Sequence, residues 1–394
     1  MLSPSETVAA FDQCREQLGI TRVGVVTGLD TVGIPVVAVY RPNARSLSVA
    51  QGKGIDLQAA KASGLGEAIE SWHAEHILLP LRLASWRELS ALAPTMAVAE
   101  LPRRNSSLFT PDLSILWVEG TDLLSGDSVW APFETVHLDF RVPGPQGTGC
   151  FHCSSNGLAA GNHLLEALSH ALCEVIERDA VTLWRLRGDA ARAASRIAPQ
   201  TVDDPVCRDL LDRYAAAGVG VDIFDATSDV GLATFSVVIA DRDPDVTRRL
   251  PAAAGHGCHP SRGIALVRAL TEAAQSRLTM INGSRDDMAL SAYHQSRDWT
   301  VLSALAAEMD HAEHGRPFSE VPDRLTPDVG DDVAYALDRL RAIGVPQVVF
   351  FDLTRTDVGI PVVRVVVPAL ESEPGVVTDL RIGERGRTAA APSA

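Results

Sequence analysis

SNGLAAGNHLLEALSHALCEVIERD, residues 155–179, decides the reading of this chain. A Gly/Ala-rich turn opens into a long helical pattern. At about 100° per residue, Glu166, His170, Glu174 and Glu177 share one helix face, beside a run of Leu, Ile and Ala. Two further stretches repeat the theme. ASGLGEAIE (62–70) sets Ser63, Glu67 and Glu70 on one face, and RGIALVRALTEAAQSR (262–277) does the same with Arg268, Glu272 and Gln275. Glutamates converging in this way repel one another unless a cation sits among them. Oxygen-only ligands favour a hard divalent ion such as Mg2+, and the arginines Arg178 and Arg268 fit a polyphosphate held by it.

Blander readings stand beside this one. Asn162 lies where a helix cap belongs. Glu174 and Arg178 are spaced for an i,i+4 ion pair. Glu70-x-x-His73 matches half of a di-iron carboxylate pattern, but no second Glu-x-x-His follows. A lone His on such a helix is more often a core group than a ligand. Cys150-Phe-His-Cys153 has C-x-x-C spacing without a second pair for zinc, and it sits in a loop. Gly52-Lys53-Gly54 is the nearest approach to a phosphate loop, since neither G-x-x-x-x-G-K-[ST] nor G-x-G-x-x-G occurs.

Outward from these helices, strand–turn–strand units recur. RVGVVTGLDTVGIPVVAVYRP (22–42) and QVVFFDLTRTDVGIPVVRVVVP (347–368) share VGIPVV-x-V, and DIFDATSDVGLATFSVVIADRDP (222–244) is a looser copy. This implies internal duplication. A short helix is expected over 1–18, helices over 58–79 and 203–217, and a hairpin over 113–137. Loops are expected over 141–156 and over the Gly/His-rich 252–263, with helical insertions and surface loops over 283–330. The fold class is α+β.

Composition limits function. The chain has 394 residues and a formal net charge of −15, which argues against general nucleic-acid binding. No run of about 18 apolar residues and no signal peptide is visible. Six scattered cysteines fit a reducing cytosol, so a cytoplasmic location is expected.

The three helices also resemble the YcaO family. The resemblance is carried by S-G-x-G-E-A-x-E around Glu67 and Glu70, SNGLAAGN…EA…HALCEVIERDA, and RALTEAAQSR followed by INGSRDD (281–287). GKG (52–54), WVEGTDLLSG (117–126) and GIPVVRVVVP extend it over roughly residues 45 to 370. It implies a YcaO-type fold with mixed β-sheets, and helices converging on ATP and Mg2+ without a P-loop. Residues 1–44 then form a helix and first hairpin of the same fold, 45–370 the YcaO domain, and 371–394 a tail.

The resemblance implies roles by position. Glu67, Glu70, Glu166, Glu174 and Glu177 are the metal carboxylates; Ser63, Asn162 and Lys53 are nucleotide contacts. Arg178 and Arg268 hold phosphate, with Glu272 and Gln275 beside them. Glu174, Glu177, Arg178 and Arg268 form the catalytic set. Ser71 departs from the Arg that many members carry there.

The implied reaction activates a backbone amide of a ribosomally made precursor peptide by O-phosphorylation. A Cys, Ser or Thr nucleophile gives an azoline, the first expectation. Sulfide gives a thioamide, and an N-terminal amine gives a macrocyclic amidine. The chain ends RIGERGRTAAAPSA, without a Pro-x-Pro-x-Pro tail, which points to an enzyme that acts alone or with a separate TfuA-like or leader-binding protein. Homodimerisation is left open. The rival classes are a di-metal carboxylate oxidase and a non-enzymatic scaffold.

Overall fold

In the computed structural model, which describes residues 2–247, 249–285, 287–309, 314–372 and 379–391, each recurring unit is a hairpin. Strand Arg22–Val25 pairs antiparallel with Val36–Tyr40, Val219–Asp225 with Ala233–Asp241, and Val349–Asp352 with Val362–Val366. Each hairpin gains a third strand that leads into a polar helix. Val49–Lys53 precedes helix Leu57–Glu75, and Ala253–His259 precedes helix Arg262–Asn282. The third module is assembled out of chain order. Leu158–Ala160, which precedes helix Leu164–Leu186, pairs with Val362–Val366 from far down the chain. The ladders between named strands are antiparallel.

The chain divides into two compact units, and the division falls inside the first polar helix, after Ala68. One unit holds residues 1–43, 47–68 and 188–325 and contains the first two modules. Its core packs Tyr214, Phe235, Leu266, Leu270 and Phe318, all fully or nearly fully buried. Within it, the buried Arg277 guanidinium donates to Asp30 from the first hairpin (2.9 Å) and to Asp241 from the second (2.7 Å). A charge without access to water is tolerable only with such partners. The other unit holds residues 44–46, 69–187 and 326–394. Its sheet runs Leu81–Ala84, Ile115–Asp122, Val349–Asp352, Val362–Val366, Leu158–Ala160, with Ser128–Pro132 paired to Ile115–Asp122.

Two glycine-rich stretches differ from expectation. Residues 252–263 are not a loop: 253–259 is a strand. A Cβ on Gly257 would lie 2.1 Å from the carbonyl oxygen of Ala265, so glycine there lets helix Arg262–Asn282 lie directly on the strand. Gly52 is likewise in a strand, and its Cβ would lie 2.1 Å from the Ala60 carbonyl oxygen. The glycines of GKG therefore serve helix–strand contact, not a phosphate loop.

The first helix is shorter than expected, Pro4–Asp12, and opens with a Ser3–Glu6 capping box. The expected hairpin within 113–137 and the helix within 203–217, observed as Pro205–Ala216, are present. In 283–330, short helices Leu290–Gln295 and Trp299–Met309 occur, while 286 and 310–313 lie outside the described residues. The same holds for 373–378 and 392–394 of the tail. Residues 379–391 pack on their own unit: Leu380 bridges Arg104, and Arg385 donates to buried Asp179 at 2.8 Å. No helix among the described residues is long and apolar enough to cross a membrane.

Candidate functional site

Helix Leu164–Leu186 buries its Leu, Ile and Ala face and turns Glu166, Glu174 and Arg178 to a partly open one. Its N-cap is His163, whose ring nitrogen accepts from the Leu165 amide at 3.2 Å. Asn162 is therefore not the cap. Its backbone N–H donates to Glu166 Oε2 at 3.2 Å, and its side-chain amide donates to both Glu166 oxygens at 3.2 and 3.3 Å. Two residues earlier, the Ala160 amide donates to Glu70 Oε1 at 2.8 Å. The end of the third strand thus brings Glu70 and Glu166 together.

Two turns further along, Arg178 lies 3.9 Å from Glu174 and 3.7 Å from Glu177. These are ion-pair distances, longer than hydrogen bonds. The Glu177 side chain is 3% exposed and that of Glu174 23%. Glu166 and Glu174 are about 12 Å apart along the axis, room for more than one divalent ion. Four glutamates against one arginine leave this unit's helix faces with excess negative charge, in hard oxygen donors that suit Mg2+.

The other unit holds the remaining candidates. The Gln51 amide donates to Glu67 Oε2 at 3.1 Å, and the Lys53 amide donates to Ser63 Oγ at 3.3 Å. The Lys53 ammonium meets Glu272, whose second oxygen accepts from the His256 amide at 3.2 Å. Arg268 and Gln275 are half-buried on the same helix. A backbone amide of the third strand therefore orients a glutamate in all three modules. Gln51 and His256 hold Glu67 and Glu272 of the helices that follow their strands, and Ala160 holds Glu70 of the first polar helix. Backbone donors leave no sequence signature, so this support could not be read beforehand. Among the described residues, no three His, Cys, Asp or Glu side chains are arranged to hold a metal ion by themselves.

Some candidates fall away. His73 is fully buried, its Nδ1 bonded to the Ile69 carbonyl at 2.8 Å, and burial pulls its pKa down to about 4, so it is a neutral core group. His170 is exposed and stands apart from the buried face. Cys150 and Cys153 are free thiols, pushed up by burial to about 11 and about 12. Neither has thiolate character for redox or metal chemistry.

The family profile described as YcaO cyclodehydratase, ATP- and Mg2+-binding, matches residues 51–371. The chain belongs to the YcaO family. ATP and Mg2+ are the cofactors of that family. An uncharacterized protein in the tfuA 3' region of Rhizobium leguminosarum bv. trifolii is 38% identical over 377 residues, covering 94% of this chain and 88% of that one. An uncharacterized protein of Methanothermobacter thermautotrophicus is 35% identical, covering 93% and 94%. Two solved structures share the YcaO fold. One is YcaO from Methanopyrus kandleri bound with AMPPCP and Mg2+: TM-score 0.74, 21% identity, 97% of this chain and 94% of that one. The other is a heterocyclase in complex with substrate and cofactor: TM-score 0.75, 22% identity, 94% of this chain. This chain spans about half of that heterocyclase, 52%.

Proposed function

We propose that this chain is an ATP-dependent enzyme that activates a backbone amide of a ribosomally made precursor peptide by O-phosphorylation, and closes Cys, Ser or Thr residues to azolines. The observation that carries the reading is the face of helix Leu164–Leu186, where Arg178 lies between Glu174 and Glu177 while Asn162 and Ala160 hold Glu166 and Glu70. An amide oxygen is a poor leaving group, and phosphorylation makes it a good one. The protein then has mainly to position and to balance charge.

Glu67, Glu70, Glu166, Glu174 and Glu177 are the residues that would hold Mg2+. When bound, Mg2+ supplies charge neutralisation at the phosphates. Arg178 and Arg268 offer planar donors matched to phosphate oxygens. Asn162 orients Glu166, and Asn162, Ser63 and Lys53 are the residues that would contact the nucleotide, with Glu272 and Gln275 as further candidates. The Glu272 carboxylate holds the Lys53 ammonium in place. The enzyme is expected to be cytoplasmic.

A second product has one specific support. The Rhizobium relative lies in the tfuA 3' region, which favours thioamide formation with a TfuA-like partner. Both products share the activated amide. The test is to label the carbonyl oxygens of the precursor peptide with heavy oxygen and weigh the phosphate released with Mg-ATP. One labelled oxygen per modified residue is expected. Unlabelled phosphate beside modified peptide would sink the mechanism. The mass of the modified residue separates azoline, which loses water, from thioamide, which exchanges oxygen for sulfur.

A further inference from the structure

The C-x-x-C stretch and the strand opposite it enclose something the carboxylate faces do not use. Arg364, in strand Val362–Val366, is 3% exposed. Its guanidinium donates to two neutral backbone carbonyls, Thr135 (2.9 and 3.1 Å) and Ser154 (2.7 Å). Among the described residues no carboxylate hydrogen-bonds to it, and its Nη1 has no partner. Beside it is a cavity of about 40 Å3, lined also by His152, Ser154, Asn156, Val175 and Glu371. His152 Nδ1 and Asn156 Oδ1 are buried there without hydrogen-bond partners. Three polar atoms left unmatched around one cavity are costly unless something fills it.

Size and charge narrow the occupant. One water needs about 10–15 Å3 of such space, so the cavity has room for an ion of monatomic size. A buried cation bonded only to neutral groups calls for a counter-charge. Glu371 does not supply it inside the cavity, because its oxygens accept from the amides of Gly383 and Gly386 at 2.9 and 2.7 Å. Glu174 acts on Arg364 from a distance, and burial still pulls the guanidinium down to about 10. His152 is held neutral, down to about 4, by burial and by Arg104 and Arg364, and its one N–H can sit on Nδ1. A half-turn of the Asn156 amide presents N–H in place of oxygen.

We propose that this cavity is a binding site for one monatomic-sized anion, chloride or hydrosulfide, held by Arg364 Nη1, His152 Nδ1 and the Asn156 amide. Chloride makes it a counter-ion site for the buried guanidinium. Hydrosulfide makes it a store of the sulfur nucleophile, and that case alone rests on the proposed amide activation.

The test uses crystals of the full chain grown with bromide in place of chloride. An anomalous peak inside the cavity, within hydrogen-bond reach of Arg364 Nη1, is expected. It should vanish in Asn156→Asp, whose carboxylate supplies the counter-charge itself and keeps the protein folded even where Arg364→Met does not fold. Water alone in the cavity at saturating bromide, or a bromide peak that persists in Asn156→Asp, overturns the proposal. Competition separates the two sources. Displacement of bromide by hydrosulfide at concentrations at least tenfold below those needed with chloride assigns the site to sulfur; the reverse order assigns it to chloride.

Discussion

Glu177 is buried while Glu67, Glu70, Glu166 and Glu174 are half-exposed. Its carboxylate therefore depends on Arg178 or a bound ion more than its neighbours do. Glu177→Gln keeps the shape and removes the charge. We expect ADP release to fall by on the order of 10²-fold or more, with the thermal midpoint nearly unchanged. Near-normal turnover at saturating Mg2+ would show that Glu177 is not a ligand. Arg178→Lys and Arg268→Lys keep the charge but lose the planar fork, so the KM for ATP should rise in both. Unchanged constants would assign these arginines to structural ion pairs. The residue types of this site were legible, because a carboxylate stripe on an otherwise apolar helix is costly unless a cation lies against it. What holds them was not. In sequence Asn162 reads as a cap because it sits one residue from one, and only the side-chain contacts distinguish it from His163.

At the scale of elements, the three modules share a device: a third strand whose backbone meets a glutamate of a polar helix. Gly257→Ala puts a methyl 2.1 Å from a backbone oxygen, and Gly52→Ala does the same. Neither neighbour can move without shifting a helix. Each change should destabilise by about 3 kcal/mol or more, read as a lower urea midpoint. Gly66→Ala is the contrast. Its Cβ meets only Phe11 at 3.7 Å, and it sits inside a helix, so it should be neutral or stabilise by up to about 1 kcal/mol. A midpoint for Gly257→Ala equal to that of Gly66→Ala would refute the packing argument. The hairpins themselves were visible as VGIPVV-x-V repeats. The third strands were not, because Gly255, His256 and Gly257 read as a loop by composition. Glycine signals either a turn or a close approach, and the sequence alone does not say which.

At the scale of the molecule, acid should act on the two units differently. His73, His137 and His152 lie in one unit, each held down to about 4 chiefly by burial. The unfolded chain binds these protons near 6.5 and the folded chain does not. Their contribution is fully present above pH 6.5 and is lost as pH falls toward 4, at up to about 1.4 kcal/mol per pH unit for each. Asp222, in the other unit, is pushed up by burial to about 6. Its sign is opposite: that unit gains as pH falls from 6 toward 3.8. Hydrogen exchange at pH 7 and pH 5 should therefore show protection lost first in residues 69–187 and 326–372. Equal loss in both units would contradict this. The α+β class was legible from alternating strand and helix patterns, whereas the division into units was not, because no composition change marks it. The permuted third module has a further consequence, for synthesis. Strand Leu158–Ala160 leaves the ribosome some 200 residues before its partner Val362–Val366, a wait of about 10–40 s at ordinary elongation rates. Throughout that interval the apolar side of helix Leu164–Leu186 has no sheet to cover it. A nascent chain stalled before residue 345 should be held by chaperones and cut by protease at 155–186, and one released past residue 370 should resist.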